Sequence, residues 1–134
     1  MVGGGEGAFI GAIHRIAARL DDRFELVAGA LSADPDRARR SGDALGVAPA
    51  RSYASFQEMA DAEAARADGV QAVAIVTPNH LHAGPAEAFL AKGVHVICDK
   101  PLTATLAEAQ HLAAAARAAD ALFVLKIGRA SCRE

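Results

Sequence analysis

The sequence predicts an α/β fold in which a doubly wound parallel sheet carries helices on both faces. Three observations support this fold class. A glycine-rich stretch opens an amphipathic helix, short apolar runs alternate with helical patterns, and polar residues follow the apolar runs. Strands that alternate with helices of about ten residues or more imply βαβ units, and βαβ units build a parallel sheet.

The first half of the chain contains three predicted helices and one predicted strand. Residues 9–20 place apolar side chains at spacings of three and four, which is typical of one face of a helix. Residues 24–31 form an apolar run that predicts a strand, and residues 34–46 predict a helix that ends at a glycine. Ser55, with Glu58 three residues further on, predicts the start of a third helix through a capping box.

The second half of the chain alternates three apolar runs with two helical patterns. The runs over 70–77, 94–98 and 121–125 have little regular polar alternation. This pattern is typical of parallel strands that are covered on both faces. The intervening residues 82–93 and 103–120 predict helices, the first of which ends at a glycine.

The composition argues against several functional classes. The formal net charge of −2 gives no electrostatic reason to expect nucleic acid or an anionic membrane as a partner. No apolar run is long enough and free enough of charge to predict a membrane-spanning helix. Cys98 and Cys132 have no metal-ligand spacing, so we expect no metal site and a reducing, cytoplasmic location.

The glycine-rich stretch GGGEGAFIG is the first candidate for chemistry. Gly3, Gly5 and Ala8 match the pattern G-x-G-x-x-A, whose glycines permit a tight turn and close approach of the backbone to a pyrophosphate. The helix that follows offers free N–H groups and the positive end of its dipole to such an anion. The alternative is a plain glycine-rich loop without a ligand.

The end of the predicted strand 24–31 is the second candidate. In dinucleotide-binding folds this strand tip carries an acidic residue for ribose hydroxyls, or small and basic residues for a 2′-phosphate. Ser32 stands at the tip here, with Asp34 two residues on and Arg37 nearby. Asp34 has an alternative role as the N-cap of the next helix. The choice between NAD and NADP therefore stays open.

Polar residues also follow the predicted strand 70–77. Thr77 and Pro78 precede Asn79, His80 and His82 at the carboxyl end of that strand, the edge where open α/β sheets bind ligands. Two histidines spaced by two residues do not share a helix face, and no further ligand completes a metal cluster. Asn79 or His80 has an alternative role in capping the next helix.

The last candidate follows the predicted strand 94–98, where Asp99, Lys100 and Pro101 stand at the same edge. A lysine at this position can donate a hydrogen bond to a substrate hydroxyl or a nicotinamide ribose and so assist proton transfer. The alternative is a solvated loop lysine without a role in chemistry.

Together these stretches resemble the N-terminal domain of the Gfo/Idh/MocA family of glucose–fructose oxidoreductases and inositol dehydrogenases. The resemblance rests on the glycine loop that runs into GAIHR, on VTPNHLHAGPA and on VICDKPLT. It departs from the family in a longer glycine loop, in Ser32 where an acidic residue is common, and in Asp99 where the family usually has glutamate.

The resemblance implies a Rossmann domain that binds NAD or NADP, followed by a substrate domain. It places Gly3, Gly5, Phe9 and Ile10 along the pyrophosphate, and it keeps Ser32 and Arg37 as the candidates near the adenosine ribose. Thr77, Pro78, Asn79 and His82 would line the dinucleotide. Lys100 would reach the nicotinamide ribose and the substrate as the catalytic residue, and Pro101 would hold its loop.

The implied activity is hydride transfer between nicotinamide and a sugar, an inositol or a related polyol. The alternative is a non-catalytic sensor or regulator of the same family, which would bind the dinucleotide without needing Lys100. A reductase of a different Rossmann family, acting on amino-acid precursors, fits TPNHLH and DKP less well. The resemblance further implies that the full-length protein forms homo-oligomers.

Both ends of the sequence suggest a fragment. Only Met1 and Val2 precede the glycines, so we expect a truncated first strand, an internal start at Met1 and marginal stability of the isolated chain. Residues 1–125 are assigned to the NAD(P)-binding domain, and residues 126–134 form a tail unlike the family. Ile127–Glu134 match the translation of a short-read sequencing adapter. Without a substrate domain, the chain alone should show no turnover.

Overall fold

The computed structural model describes residues 1–127 of the chain. The chain divides into two compact units, Met1–Val70 and Gln71–Glu134, which are considered one at a time. Residues 128–134, which hold most of the tail assigned to an adapter sequence, lie outside the described residues.

The first unit contains a short strand and three α-helices. Its elements are β1 (Val2–Gly3), α1 (Phe9–Arg19), α2 (Pro35–Ala44) and α3 (Phe56–Ala64), with one 3₁₀ turn at Pro49–Arg51. The three predicted helices are therefore confirmed, and each boundary agrees within two residues. The first strand, β1, has two residues.

The prediction of a strand over residues 24–31 is wrong for residues 24–27, which form no strand. Regular pairing is confined to two isolated parallel bridges, Val2 with Ala30 and Gly29 with Ser52. Ala30 N donates to Met1 O at 3.0 Å, and Gly29 N donates to Arg51 O at 3.0 Å. A strand needs a partner backbone on at least one side, and no described residue supplies a ladder to residues 24–27.

Side-chain caps determine where α2 and α3 begin. Asp34 Oδ1 accepts a hydrogen bond from Arg37 N at 2.7 Å, so the alternative role of Asp34 as an N-cap is confirmed. Ser55 Oγ accepts from Glu58 N at 3.1 Å, while the Glu58 carboxylate accepts from Ala54 N. Both helices start as the local sequence pattern predicts.

The apolar stripe of α1 is largely exposed, in contrast to the usual burial of such a face. Gly11 is the buried residue of this helix. Phe9 is 79% exposed and Leu20 is 80% exposed, and Ile16 is also exposed. The described residues do not cover this stripe.

A buried carboxylate connects α3 to the turn before it. Glu63 is 2% exposed and accepts hydrogen bonds from Arg51 Nε at 2.9 Å, Tyr53 Oη at 2.8 Å and Val70 N at 3.1 Å. Arg51 Nη2 also donates to it. These four residues are called the Glu63 cluster below. Because Arg51 O and Tyr53 N both bond to Gly29, the cluster holds that backbone pairing in place.

The second unit is built on parallel strands. Its elements are β2 (Ala72–Val76), α4 (Ala83–Leu90), β3 (His95–Asp99), α5 (Leu106–Ala118) and β4 (Phe123–Lys126), with a 3₁₀ turn at Asn79–Leu81. β3 pairs in parallel with β2 on one side and with β4 on the other. The parallel α/β class predicted from the sequence is confirmed, and β4 extends to Lys126, the first residue of the predicted tail.

The core of the second unit explains its apolar runs. The strands β2 and β3 contain four buried residues, Val73, Ile75, Val96 and Cys98, and Phe89 of α4, which packs against both strands, is also buried. Fully burying an aliphatic side chain stabilises a fold by about 1.5–3 kcal/mol. α5 begins at a complete capping box formed by Thr105 and Glu108. No described helix is both long enough and apolar enough to span a membrane.

Candidate functional site

The glycine loop of the first unit adopts a backbone conformation that requires glycine. Gly3, Gly4 and Gly7 have φ angles of 76°, 75° and 79°, in the left-handed region that side-chain-bearing residues rarely occupy. A Cβ atom at Gly7 would meet no atom within 4 Å, so the loop backbone there faces open space. Gly4 and Gly7 lie outside the matched positions of the sequence motif.

Two further glycines allow the loop to pack closely. A Cβ atom at Gly11 would lie 2.5 Å from Gly4 Cα, so α1 approaches the loop at backbone contact distance. A Cβ atom at Gly5 would lie 2.7 Å from both Leu31 O and Ser41 Oγ. Gly5 N donates to Leu31 O at 3.2 Å. The loop is thus held against the end of residues 24–31.

Two polar side chains, Arg15 and Ser41, form hydrogen bonds with the backbone of the loop. Arg15 of α1 donates a hydrogen bond to Gly4 O at 2.7 Å. Burial, and secondarily the neighbouring Arg19, lower the pKa of Arg15 from its ordinary value. Ser41 of α2 accepts from Glu6 N at 2.9 Å and donates to Arg37 O at 2.7 Å. Sequence reasoning missed Arg15 and Ser41, because neither belongs to the glycine pattern.

The start of α1 differs from the starts of α2, α3 and α5. Its N-cap residue, Ala8, provides no side-chain acceptor, and no acidic residue stands in its first turn. The other three helices each have a side-chain cap and an acidic residue in the first turn. The first-turn N–H groups of α1, at Phe9 and Ile10, therefore combine with the helix dipole to favour an anion.

A cleft of about 520 Å³ lies along the loop and α2. Glu6 and Arg40 form an exposed ion pair beside it, with 3.4 Å between Glu6 Oε2 and Arg40 Nη2. Such an exposed pair is worth about 0–1 kcal/mol, so it can open at little cost. Phe9 and Ala44 contribute apolar surface to the cleft.

The candidates near the predicted strand tip lie at the start of α2. Ser32 is half-buried, and its Oγ accepts a hydrogen bond from Asp34 N at 3.1 Å. The hydrogen bond from Arg37 N is the main cause that lowers the pKa of Asp34. Arg37 itself is exposed. The cap of α2 uses one carboxylate oxygen of Asp34. Ser32 lies two residues before Asp34 and Arg37 lies three residues after it.

In the second unit, the segment after β2 presents a mixture of exposed and buried residues. Thr77 is half-buried, and its Oγ1 donates to Leu81 O at 3.2 Å. Pro78, Asn79 and His80 are exposed. Asn79 Oδ1 accepts from His80 N at 3.0 Å, so its side chain stabilises the 3₁₀ turn and leaves the α4 helix uncapped by a side chain.

His82 is placed inside the unit. It is 1% exposed, with Nδ1 at 2.8 Å from Pro101 O and Nε2 at 2.9 Å from Thr77 O. The structure therefore brings together three of the predicted residues, Thr77, His82 and Pro101. Contact with a dinucleotide through the His82 ring stays an untested prediction, since both ring nitrogens already have protein partners.

Lys100 follows β3 and is exposed. Asp99, the residue before it, is half-buried, with its Oδ1 at 3.9 Å from Lys126 Nζ. Pro101 is exposed and contacts His82 through its carbonyl oxygen. Within the described residues, no three His, Cys, Asp or Glu side chains form a group that could hold a metal ion.

The chain also matches known proteins. The profile of an oxidoreductase family with an NAD-binding Rossmann fold, Gfo/Idh/MocA, matches residues 1–126. The crystal structure of an oxidoreductase from Sinorhizobium meliloti is 62% identical, with a TM-score of 0.89 over 93% of this chain and 35% of that one. An inositol dehydrogenase homologue from Azotobacter vinelandii, complexed with NADH and myo-inositol, is 46% identical with a TM-score of 0.90 over 94% of this chain and 33% of that one.

A curated relative has a similar level of identity. The oxidoreductase YfiI of Bacillus subtilis is 46% identical over 117 residues, which are 87% of this chain and 30% of that protein. The chain thus spans about a third of the length of the relatives it matches. The family profile, the parallel α/β fold and the glycine loop before α1 agree. The chain belongs to the Gfo/Idh/MocA oxidoreductase family and corresponds to its NAD-binding Rossmann domain.

Proposed function

We propose that the chain is the cofactor-binding half of an NAD(P)-dependent oxidoreductase that acts on a CH–OH group of a sugar, an inositol or a related polyol. The observation that carries this proposal is the glycine loop with its open backbone at Gly7, placed before a helix whose first turn has no cap. The Azotobacter vinelandii relative was crystallised with NADH and myo-inositol, which supports this substrate class.

The first unit would bind the pyrophosphate. Close approach of an anion requires a backbone without side chains, which Gly7 provides. Gly5 lets the loop pack against Leu31 and Ser41, and Gly3 and Gly5 are proposed to lie along the pyrophosphate. The N–H groups at Phe9 and Ile10 would donate to the phosphate oxygens, and the α1 dipole would add a favourable field. Arg15 supports this arrangement indirectly, because its hydrogen bond to the Gly4 carbonyl fixes the backbone of the loop.

The adenosine ribose would lie near Ser32 and Arg37. The Ser32 hydroxyl can bond to a ribose hydroxyl, and the Arg37 guanidinium can bond to a 2′-phosphate. The Asp34 carboxylate, which would repel a 2′-phosphate, has one oxygen engaged in the cap of α2. NAD and NADP are therefore both proposed as cofactors, and direct binding decides between them.

The second unit would serve the nicotinamide half. Thr77, Pro78 and Asn79 form the segment after β2 that would line the dinucleotide, and Lys100 stands after β3 with its ammonium group exposed. The bound nicotinamide supplies the hydride chemistry. The Lys100 ammonium would donate hydrogen bonds to the nicotinamide ribose and to the substrate hydroxyl, and this would stabilise negative charge on that oxygen as its proton leaves.

The exposed Lys100 favours an enzyme over a dinucleotide sensor, since a sensor has no need for a proton-transfer group at this position. We further propose a reducing, cytoplasmic location and homo-oligomers of the full-length protein. Cys98 supports the location, because it is a free and buried thiol. Burial, and secondarily Asp99, raise the pKa of Cys98 to about 11, which keeps the thiol protonated and unreactive.

A matched pair of glycine variants tests the proposed cofactor site. Gly7→Ala and Gly46→Ala each place a Cβ atom at positive φ, 79° and 71°, with no atom within 4 Å of that Cβ. Both should cost about 1–2 kcal/mol of stability. Fluorescence titration with NADH and NADPH should show tighter binding of one cofactor by the unaltered chain. Gly7→Ala should weaken that binding about tenfold or more, which corresponds to about 1.4 kcal/mol.

Gly46→Ala is the control, because Gly46 stands at the end of α2 and outside the cleft. Its cofactor affinity should stay within about twofold of the unaltered chain, well below the tenfold effect expected at Gly7. Equal losses in the two variants would show that strain, and not blocked approach of the cofactor, causes the effect. If the unaltered chain binds neither NADH nor NADPH, the proposed function is wrong.

A further inference from the structure

The buried ring of His82 contacts two carbonyl oxygens that belong to different segments of the second unit. Thr77 O follows β2, and Pro101 O follows β3. The distances of 2.9 and 2.8 Å are both within the normal range for a hydrogen bond. This arrangement of three residues is called the His82 clamp below. It connects the segment that carries Lys100 to the end of the neighbouring strand.

The clamp has a chemical requirement that a neutral histidine does not meet. A carbonyl oxygen only accepts hydrogen bonds, and a neutral imidazole has one N–H donor and one acceptor nitrogen. In either neutral tautomer, one ring nitrogen would direct its lone pair at a carbonyl lone pair at hydrogen-bond distance. Leaving a buried polar group unsatisfied costs about 1–3 kcal/mol. The imidazolium form donates to both carbonyls.

We infer that His82 is an imidazolium in the folded chain and that it is a positioning residue for Lys100. The ring donates one hydrogen bond to Thr77 O and one to Pro101 O, which holds the Lys100–Pro101 segment beside the end of β2. The role of Lys100 rests on the proposed function, whereas the protonation of His82 rests on the geometry alone. Loss of the proton replaces one hydrogen bond by a repulsive contact and releases one side of the clamp.

The elements packed against α4 carry several other titratable groups. β2 carries none. β3 carries His95, whose Nδ1 accepts from Leu122 N, and Cys98, which is neutral, and it ends at Asp99 before the exposed Lys100. On α5, Glu108 belongs to the capping box and Arg117 stands in the last turn.

Two further histidines complete this set. His111 of α5 lies with Nδ1 at 3.4 Å from Glu87 Oε1 of α4, and His80 is exposed in the 3₁₀ turn. His80, His95 and His111 have surroundings unlike those of His82, which is 1% exposed. A measurement on the clamp must distinguish His82 from these three side chains.

Nuclear magnetic resonance of the ¹⁵N-labelled chain tests the protonation directly. Long-range correlations between the ring carbon-bound hydrogens and the ring nitrogens report whether each nitrogen carries a proton. Assignment uses His80→Gln, His95→Gln and His111→Gln, which leave the clamp in place. At pH 7 we expect both nitrogens of His82 to be protonated. A single protonated nitrogen on His82 would overturn the inference.

Cofactor binding tests the positioning role with two ligands. His82→Gln removes the charge, and both N–H donors of the amide share one nitrogen, so it cannot replace contacts that His82 makes through two ring nitrogens. The exposed His80→Gln is the matched control. NADH affinity should fall about tenfold in His82→Gln. The affinity for ADP, which lacks the nicotinamide half, should be unchanged, and this difference would not follow from general destabilisation. In the unaltered chain, NADH affinity should fall as the pH rises and His82 loses its proton, and this dependence should vanish in His82→Gln.

The possible failures are distinguishable. If the unaltered chain does not bind NADH, the proposed function is wrong, whereas a doubly protonated His82 would still establish the imidazolium. If His82 is doubly protonated but His82→Gln leaves NADH affinity unchanged, the positioning role is wrong. If NADH and ADP affinities fall equally, His82 is a structural residue only.

Discussion

Glu63 in the first unit and His82 in the second are both buried, and each connects two backbone segments, but their partners differ. The Glu63 carboxylate accepts hydrogen bonds from the positively charged Arg51 guanidinium and from the neutral Tyr53 hydroxyl and Val70 N–H. Each of these partners is a donor, as an ionised carboxylate requires. His82 contacts two neutral carbonyl oxygens. The Glu63 cluster therefore has all its hydrogen bonds when the carboxylate is ionised. The His82 clamp has both of its hydrogen bonds only when the imidazole carries a second proton.

The two groups should consequently respond to pH in opposite directions. Burial raises the pKa of Glu63, but the hydrogen bonds from Arg51 and Tyr53 outweigh it and hold the pKa below the unfolded value of 4.5. A carboxylate with a depressed pKa stabilises the fold above 4.5, and this stabilisation is lost as the pH falls through the lower folded pKa. The imidazolium of the clamp is instead lost as the pH rises.

The largest effect is expected for Glu63→Ala. Removing the carboxylate leaves the Arg51 guanidinium, which is 12% exposed, without its buried partner. Breaking a buried pair in this way costs about 3–5 kcal/mol, a large fraction of a domain's stability of about 5–15 kcal/mol. Urea denaturation followed by circular dichroism measures the loss. The exposed Gln57→Ala on the same helix is the control and should change stability by less than about 0.5 kcal/mol.

The second-largest effect on stability is expected from the α-amino group of Met1, between pH 5 and pH 8. It is buried and donates to Ala28 O at 2.8 Å. Burial lowers its pKa from 8.0 to about 5, against the opposing attraction of Glu63. The unfolded chain therefore binds more protons between these pH values, and stability should fall by up to about 1.4 kcal/mol per pH unit from pH 8 to pH 5.

Acetylation of the Met1 amine tests this prediction. The acetylated chain should lose the pH dependence between pH 5 and pH 8 when its free energy of unfolding is measured by denaturation. An unchanged slope after acetylation would show that the amine is not the group that titrates.

A smaller effect is expected when His82 itself is replaced. His82→Gln should cost about 1–3 kcal/mol at pH 7, because one of the two buried carbonyls loses its donor. The difference in stability from the unaltered chain should shrink at alkaline pH, where the unaltered clamp has also lost its proton. For Glu63→Ala the corresponding difference should shrink at acidic pH. If the loss of stability changed with pH in the same direction in both variants, the proposed difference between the Glu63 cluster and the His82 clamp would be wrong.

The smallest effect is expected for Tyr53→Phe. This change removes one of the hydrogen bonds to Glu63 and leaves the Arg51 pair in place. The expected loss is about 0.5–1.5 kcal/mol, the net contribution of one hydrogen bond, because Arg51 and Val70 still donate to the carboxylate. In the unaltered chain, burial and Glu63 raise the pKa of Tyr53 to about 12, which an absorbance titration of this tyrosine, the chain's only one, can measure.

The helices and the glycine loop could be predicted because their signals are local. Asp34 and Ser55 each bond to a backbone N–H three residues on, so a short stretch of sequence contains both partners. The same applies to the uncapped start of α1 at Ala8. The motif identified Gly3 and Gly5, but the positive φ at Gly4 and Gly7 follows from how this longer loop closes.

The Glu63 cluster and the His82 clamp could not be predicted in this way. Arg51 and Tyr53 stand 12 and 10 residues before Glu63, and Pro101 stands 19 residues after His82. Nothing in the local pattern of α3 distinguishes Glu63 from an exposed glutamate. The strand expected at 24–31 failed for a related reason, because pairing depends on a distant backbone that the local pattern does not contain.

The sequence by itself therefore determined the helices, the three strands of the second unit, the places where helices begin, and membership of a dinucleotide-binding oxidoreductase family. These features depend on contacts between residues a few positions apart and on three short motifs, the glycine loop, VTPNHLHAGPA and VICDKPLT. Only the tertiary structure decided which ionisable groups leave water, as Glu63, His82 and the Met1 amine do. Burial removes solvent and substitutes particular donors and acceptors, and those partners decide which protonation state each group keeps.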